Sequence, residues 1–530
     1  MLQSSDQEKD HPAGVLPRRA MRWWPIPVIL MMAAGAVVWV WQFYGRQRQD
    51  RNIATAIVVV STSFLLLLWC LFLSRLRWRI RLGVLGGVVG LILLVMALSR
   101  FHGVTGDLVP VLQWRWERPS LISIPEGTKP LVSTALAQRN QLTNDWPQFL
   151  GPHRNSMVEQ PWLARDWRAQ PPQRLWLRPV GPGWSGFAVA GNCAITQEQR
   201  GENETVICYD LLSGAPLWAY AYPAHFQSPL AGEGPRATPT IAAHRVYALG
   251  STGVLNCLDL ETGKLLWSKD LVRDTGAKVG EWGMSCSPLI VDDLAVVSAG
   301  GSDNRSLVAY RAVTGDFVWG NGTDGAGYSS PCLVTLAGTA QILIFNGGGV
   351  SAHDSATGTN LWKYHWPGGH PHVSMPVVIP GDRLLVSSGY GVGSELLQIQ
   401  KVSAGAFKAT RIWKSTRLKA KFTNLIYRDG FIYGLDDGIM ACLDASNGDR
   451  RWKEGRYGHG QEILVRDVLL VCAESGETIL LDPNPQASRE LTRFSALTGK
   501  TWNPPALAGQ YLLVRNDKEA ACYRLPVLRR

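Results

Sequence analysis

No two of the nine cysteines are adjacent, none are spaced as Cys-x-x-Cys, and none stands at a zinc-finger interval from a histidine. A vicinal disulfide and the common structural zinc sites are therefore excluded, and no metal site is expected. Acidic residues are the scarcer charge, 42 against 53 basic ones, for a formal net charge of +11. Residues 1–100 hold 12 of the basic and 4 of the acidic side chains, so the rest of the chain carries only about +3. That balance excludes the broad basic surface that nucleic-acid binding needs.

Charge is missing altogether from Trp23–Gly45, Asn52–Ser74 and Leu82–Ser99, stretches of 23, 23 and 18 residues. Each can span about 30 Å of hydrocarbon as a helix. A cleaved signal peptide would account for the first alone. Gly83, Gly86, Gly87 and Gly90 in the third suit close helix packing. Three transmembrane helices are expected. Lys9, Arg18, Arg19 and Arg22 precede the first, and Arg75, Arg77, Arg79 and Arg81 fill the second loop, against Arg46, Arg48 and Arg51 in the first. The excess places the N-terminus and the second loop in the cytoplasm and everything after the third span on the other side. This reading makes residues 1–22 a cytoplasmic tail and 23–99 the anchor (23–45, 52–74, 82–99). Residues 100–145, with Arg118, Pro119, Pro125, Gly127 and Pro130, read as an extended tether.

Beyond the anchor one motif recurs: Asp210–Gly214–Trp218, Asp259–Gly263–Trp267, Asp354–Gly358–Trp362 and Asp444–Gly448–Trp452, with Arg311–Gly315–Trp319 differing at its first position. The Asp side chain can bond the backbone just after it, and Gly tolerates positive φ, so each copy reads as a tight turn between two strands. A degenerate copy ends at Trp413, and ILLDPNP (Asp482) and ACYRLP (Arg524) continue the series, giving eight third strands. The last copy lacks its Trp-bearing strand, while a spare one, RLWLRPVG around Trp176, precedes the first. A ring closed by both chain ends explains both facts. Two further apolar runs precede each motif, several opening on a residue followed by proline: Thr238–Pro239, Ser287–Pro288, Ser330–Pro331 and Met375–Pro376. Four strands in about 45 residues make one propeller blade. The expected fold is all-β: an eight-bladed propeller of four-stranded blades over residues 176–530, with 146–175 as a lead-in. The motif Trp residues are expected to pack between blades.

Cys257, Cys442 and Cys522 share one repeat position and read as small buried hydrophobes. Cys193 and Cys208 flank the polar turn QRGENE. They are either two more buried thiols or a cross-strand disulfide in an oxidising compartment.

The Asp-x-x-(Thr/Ser/Asn)-Gly-x-x-x-Trp repeat resembles that of the pyrroloquinoline quinone (PQQ) dehydrogenases and their non-enzymatic relatives, which include the propeller lipoprotein of the bacterial outer-membrane protein assembly machine. The resemblance covers about Trp176–Pro526. WPQFLGPHRN (146–155), GPRATPT (234–240), GYSSP (327–331) and SSGYGVG (387–393) look like a narrower group of membrane-attached or exported PQQ-like proteins of planctomycetes. The resemblance implies a bacterial inner-membrane protein with its propeller in the periplasm. It leaves two activities open: a protein-interaction or assembly scaffold, or a PQQ-dependent oxidoreductase holding PQQ and calcium.

The enzymatic pattern implied by the family is incomplete. It uses a vicinal disulfide, a Glu/Asn/Asp calcium set and an Asp base, and only Glu233, Asp274, Glu281 and Asp324 are acidic in the first three interblade loops. The sequence GWSGF (183–187) lacks the final Gly of a nucleophile elbow. The run GYGVG (389–393) precedes no helix and reads as a turn. His365, His370 and His372 fall in one short loop and read as ordinary polar side chains before a metal site. No catalytic residue is assigned and no cofactor is expected. The same loops gather Arg236, Trp282, Tyr328, His372, Tyr390, Lys419, Lys421, His459 and Trp502 on one face. Aromatic and cationic groups together suit an anionic ligand, a carbohydrate or a peptide. The expected partner is an envelope protein, with a small-ligand sensor as a further reading.

Overall fold

The computed structural model describes residues 21–45, 47–116, 145–403 and 405–528. The expected N-terminal tail up to residue 20, and Arg118–Pro130 of the expected tether, lie outside the described residues. Two units are distinct. Residues up to Arg100, with Gln113–Trp116, form one; Phe101–Leu112 and the chain from Glu117 onward form the other.

In the first unit three helices are long and apolar enough to cross a membrane: Pro25–Phe43, Arg48–Leu73 and Trp78–Leu98. The second and third start four residues earlier than the uncharged stretches, taking Arg48, Arg51, Arg79 and Arg81 into their first turns. Long arginine stems let a helix begin before its apolar segment, because the charged head reaches back to water.

The second unit is the propeller. Seven antiparallel sheets follow chain order, from Ala188–Pro223 in blade 1 to Gln461–Ser495 in blade 7. Blade 8 combines Ala506–Ala508, Tyr511–Arg515 and Glu519–Arg524 with Gln173–Pro179, so both chain ends close the ring. Cys522 pairs with Trp176 and Tyr523 with Arg174. Closure leaves the ring without a free joint at which another chain could pair.

The motif has the physical basis its spacing suggests. Asp210 Oδ1 accepts bonds from the N–H groups of Leu212 and Ser213, Asp354 Oδ1 does the same with Ala356 and Thr357, and Asp444 Oδ1 accepts from the N–H and the hydroxyl of Ser446. The Thr357 backbone bond holds the Asp354 carboxyl below its ordinary value, and the Ser446 hydroxyl does so for Asp444. Each turn glycine takes positive φ and faces the Trp of the preceding blade: a Cβ on Gly214 would lie 2.6 Å from Trp176, and one on Gly448 would lie 2.7 Å from Trp413. In four copies the indole N–H donates to the carbonyl just past the Asp position: Trp176 to Leu211, Trp218 to Leu260, Trp267 to Ala312 and Trp413 to Ala445; Trp452 donates to Asn484 O, and Trp319 Nε1 has no hydrogen-bond partner among the described residues. Trp362 departs from this pattern and donates to Gln341 of its own blade. Its neighbour is the degenerate copy, whose strands extend through Gly393–Ser403 and Ala406–Ser415 and offer no such turn.

The hydroxyl–proline starts form a second, inner ladder. Gly186 N–H donates to Thr238 Oγ1, Thr238 N–H to Ser287 Oγ and Ser287 N–H to Ser330 Oγ, each bond joining one blade to the next. Farther round, Met375 N–H donates to Asn424 Oδ1.

The symmetric placement of Cys193 and Cys208 about their turn needs correction: both are buried, but they do not stand opposite each other. Cys193 lies opposite Asp210, and Cys208 opposite Ile195, because the hairpin turns at Gly201–Glu202. A turn centre shifted by one residue moves every partner by two. Cys208 instead faces Trp218, the position Cys257 and Cys442 occupy before Trp267 and Trp452. The expected tether also differs: Ser99–Val104 and Pro110–Trp114 form a two-stranded sheet.

Candidate functional site

Each inner strand runs from an interblade loop on one face to a tight turn on the other. Both mouths of the ring are crossed by chain from outside the repeats.

The tight-turn mouth is crossed by residues 146–158. Trp146 bridges to Val189 of blade 1, Pro147 O accepts from Ile241 N of blade 2, and Met157–Val158 adds a parallel strand to blade 7. Trp146 and Leu150 are almost fully buried. Arg154 reaches inward, its Nη1 donating to the carbonyls of Ser287 (3.2 Å) and Pro331 (2.8 Å) and its Nη2 to Thr240 Oγ1 and the Pro288 carbonyl. Burial lowers its guanidinium to about 10, still charged at neutral pH.

The interblade-loop mouth is where the sequence gathers its cations and aromatics. Residues Phe101–Leu112 lie across part of it. The turn at the tip is closed by Thr105 N–H to Val109 O and by Leu108 N–H to Thr105 O, with Leu108 at φ 58°. Lys421 Nζ donates to Gly106 O at 2.7 Å, and Lys500 Nζ to Val104 O at 3.3 Å. Asp107 meets His459 Nε2 at 3.3 Å and the Arg456 guanidinium at 3.6 Å. Gly106 N–H donates to Glu474 Oε1 at 2.6 Å, which also accepts from Trp502 Nε1, while Glu474 Oε2 accepts from His459 N–H. His102 Nε2 lies 2.6 Å from Asp517 Oδ2. Burial opposes ionisation of Asp517, but His102, with Lys500 and Lys518, holds its carboxyl below the usual range. Burial lowers Lys500, which stands over the Trp184 and Trp502 rings.

The predicted face thus divides into three sets. Lys421, His459 and Trp502 meet Phe101–Leu112 or the Glu474 carboxylate beneath it. Tyr390 stacks on His370 and lies beneath Lys421 Nζ, beside that set. Arg236, His372 and Lys419 serve the scaffold. Arg236 ties its loop to the Trp282 and Gly232 carbonyls, His372 bonds Asn346 O and stacks on Phe345, and Lys419 pairs with Asp436 and Asp437. Tyr328 stands apart, lining a half-open cavity of about 430 Å³ with Lys278, Met284, Cys286 and several glycines. Among the described residues no carboxylate lines that cavity. Among the acids of the first loops, Glu233 lies 3.5 Å from His225 and Asp324 2.6 Å from Lys363. Among the described residues no three His, Cys, Asp or Glu side chains converge as a metal site.

The reading from residues missed Gly106, Asp107, Glu474, Lys500 and Asp517. A signal for the first two was present: Val104 to Val109 reads V-T-G-D-L-V, a turn tripeptide between apolar residues.

Three comparisons bear on this geometry. A family model described as outer membrane protein assembly factor BamB matches residues 202–454. The quinohemoprotein alcohol dehydrogenase ADH-IIG of Pseudomonas putida is 28% identical over 263 residues, 46% of this chain and 32% of that protein, so the alignment spans about a third of the relative's length. Among solved structures, BamB from Moraxella catarrhalis superposes with a TM-score of 0.50 at 16% identity, covering 68% of this chain and 99% of that one. Quinohemoprotein alcohol dehydrogenase from Comamonas testosteroni gives 0.54 at 12% identity, covering 75% of this chain and 85% of that one. At those identities the superpositions speak for the fold alone. With its eight closed blades, its Trp–Gly docking and a BamB family model matched over residues 202–454, the chain carries a propeller of PQQ-like repeats.

Proposed function

We propose that this protein is a membrane-anchored interaction or assembly scaffold, facing the periplasm from the bacterial inner membrane. The observation that carries the reading is the occupation of the interblade-loop mouth by Phe101–Leu112. The donors there bind backbone carbonyls and one aspartate, which is the chemistry of polypeptide recognition. The match to a family described as an assembly factor supports the same reading.

The identity to an alcohol dehydrogenase favours a second reading, a quinoprotein oxidoreductase. The residues present do not suit a calcium-held quinone. Glu474 already accepts three N–H groups, Asp517 is bonded to His102, and the separate cavity at Tyr328 has no carboxylate among the described residues that line it.

The test is site-specific photo-crosslinking in intact cells, with the probe at Trp282 or Tyr328. Discrete adducts with envelope proteins are expected. Uniform absence of adducts at both positions would count against the scaffold.

A further inference from the structure

We propose that the interblade-loop mouth is a receptor for a short acidic turn, filled in cis by Thr105–Leu108 and open in trans to a partner protein presenting a glycine–aspartate turn. The inference rests on the scaffold reading and names the chemistry of its partner.

The two ring mouths are closed in different ways. On the tight-turn side, Trp146 and Leu150 are 1% and 4% exposed and lie within apolar clusters of the blades. Burial on that scale makes a permanent closure. On the other side the strands flanking the turn bury Val104, at 7% exposed, but leave Phe101, Val109 and Leu112 at 52%, 47% and 57% exposed. The turn is held by the polar contacts of Gly106 and Asp107. The Asp107 pair with Arg456 is partly exposed and contributes about 1 kcal/mol or less, and the buried Lys421 bond to Gly106 O is one that any carbonyl presented in the same place can replace. A segment held by such bonds can be exchanged for another that offers the same groups.

The receptor groups are specific about what they accept. Lys421 takes a carbonyl, Glu474 takes a backbone N–H, and His459 with Arg456 takes a carboxylate. A Cβ at Gly106 would run into the His459 ring, so the residue before the carboxylate must be glycine. Lys421 is held over the Tyr390 and Phe422 rings, at 5.1 and 5.8 Å, and so stands pre-positioned. A cis segment competes at high effective concentration, so the free peptide binds the intact protein weakly, in proportion to the open fraction.

The experiment uses full-length protein in detergent and a fluorescent cyclic peptide of residues 104–109. Gly106→Ala should expel the turn by steric conflict, and Asp107→Asn should loosen it without adding bulk. Hydrogen exchange over 101–112 should rise in both. Both should bind the peptide at least about 10-fold more tightly than the unaltered protein, and adding Lys421→Ala should abolish the gain. Release of the turn without tighter peptide binding overturns the proposal, as does unchanged protection of 101–112 in both variants. Photo-crosslinks that persist while the peptide fails to bind would remove this inference and leave the scaffold standing.

Discussion

Trp267 of blade 2 lies against Gly315, the turn glycine of blade 3: a Cβ on Gly315 would stand 2.8 Å from the indole, and Trp267 Nε1 donates to Ala312 O at 3.0 Å. This contact is the joint between neighbouring blades. Trp267→Ala removes a nearly buried ring and should lower unfolding free energy by about 3–5 kcal/mol. Gly315→Ala adds a methyl into the same contact at φ +78° and should also destabilise. Denaturant unfolding checks both; a loss under about 1 kcal/mol for Trp267→Ala would show that the ring does not join the blades.

Arg154 tests the other closure. Its guanidinium ties residues 146–158 to carbonyls that open the inner strands of blades 3 and 4. Arg154→Leu keeps apolar bulk but leaves those carbonyls without their donor. A loss of roughly 3 kcal/mol or more is expected, since several buried acceptors become unpaired at once. Thermal unfolding of the purified protein measures it, and an unchanged midpoint would mean that water replaces the guanidinium.

Glu462 gives the fold a pH dependence. Burial pushes its carboxyl up to about 8, partly offset by the Thr423 hydroxyl and the Leu435 backbone, and Oε1 has no partner in hydrogen-bonding geometry. The folded protein therefore keeps a proton that the unfolded chain releases from about pH 4.5 upward. Proton binding by the folded state alone means that stability falls as pH rises through this window, to about 8. Glu462→Gln removes that dependence, so its midpoint relative to the unaltered protein should rise steadily between pH 5 and 8. A constant difference across that range would show that Glu462 is already ionised.

The blade architecture was legible in the sequence because its causes are local. Asp210 and Gly214 fix a turn within five residues, and Trp218 follows at a set distance on the adjoining strand. Repetition then turned a weak signal into eight blades. The mouths were not legible. Lys421 and Gly106 are 315 residues apart, and Arg154 meets Pro331 across 177. Neither approach leaves a periodic trace, and prolines suggested an irregular tether where a hairpin begins. Arg236, His372 and Lys419 have the composition of a ligand face, but their partners show that they brace loops.

Membrane topology is open to direct measurement. Arginine placement predicts that the region before the first span and Arg75–Arg81 lie in the cytoplasm and that Arg530 lies across the membrane. Alkaline phosphatase fused after Arg530 should be active. An inactive fusion, paired with an active cytoplasmic reporter at the same point, would reverse the assignment.

The quinoprotein reading makes the sharpest contrasting claim, and opening the mouth should not rescue it. Gly106→Ala is expected to uncover Glu474 and His459, yet Glu474 keeps its bonds from Trp502 Nε1 and His459 N–H. Calcium prefers six or more oxygen ligands, and no group of three suitable side chains stands there among the described residues. Without the cation a quinone carbonyl is not polarised, and without a free carboxylate base nothing removes an alcohol proton. Full-length protein and the Gly106→Ala variant, each given PQQ and Ca²⁺, should therefore reduce no dye above background on a panel of alcohols and sugars. Weak association would be uninformative, because Lys421 and Lys500 attract any polycarboxylate. Turnover that EDTA abolishes is the decisive contrary result: it would replace the scaffold with an oxidoreductase and recast Phe101–Leu112 as a cover over its cofactor.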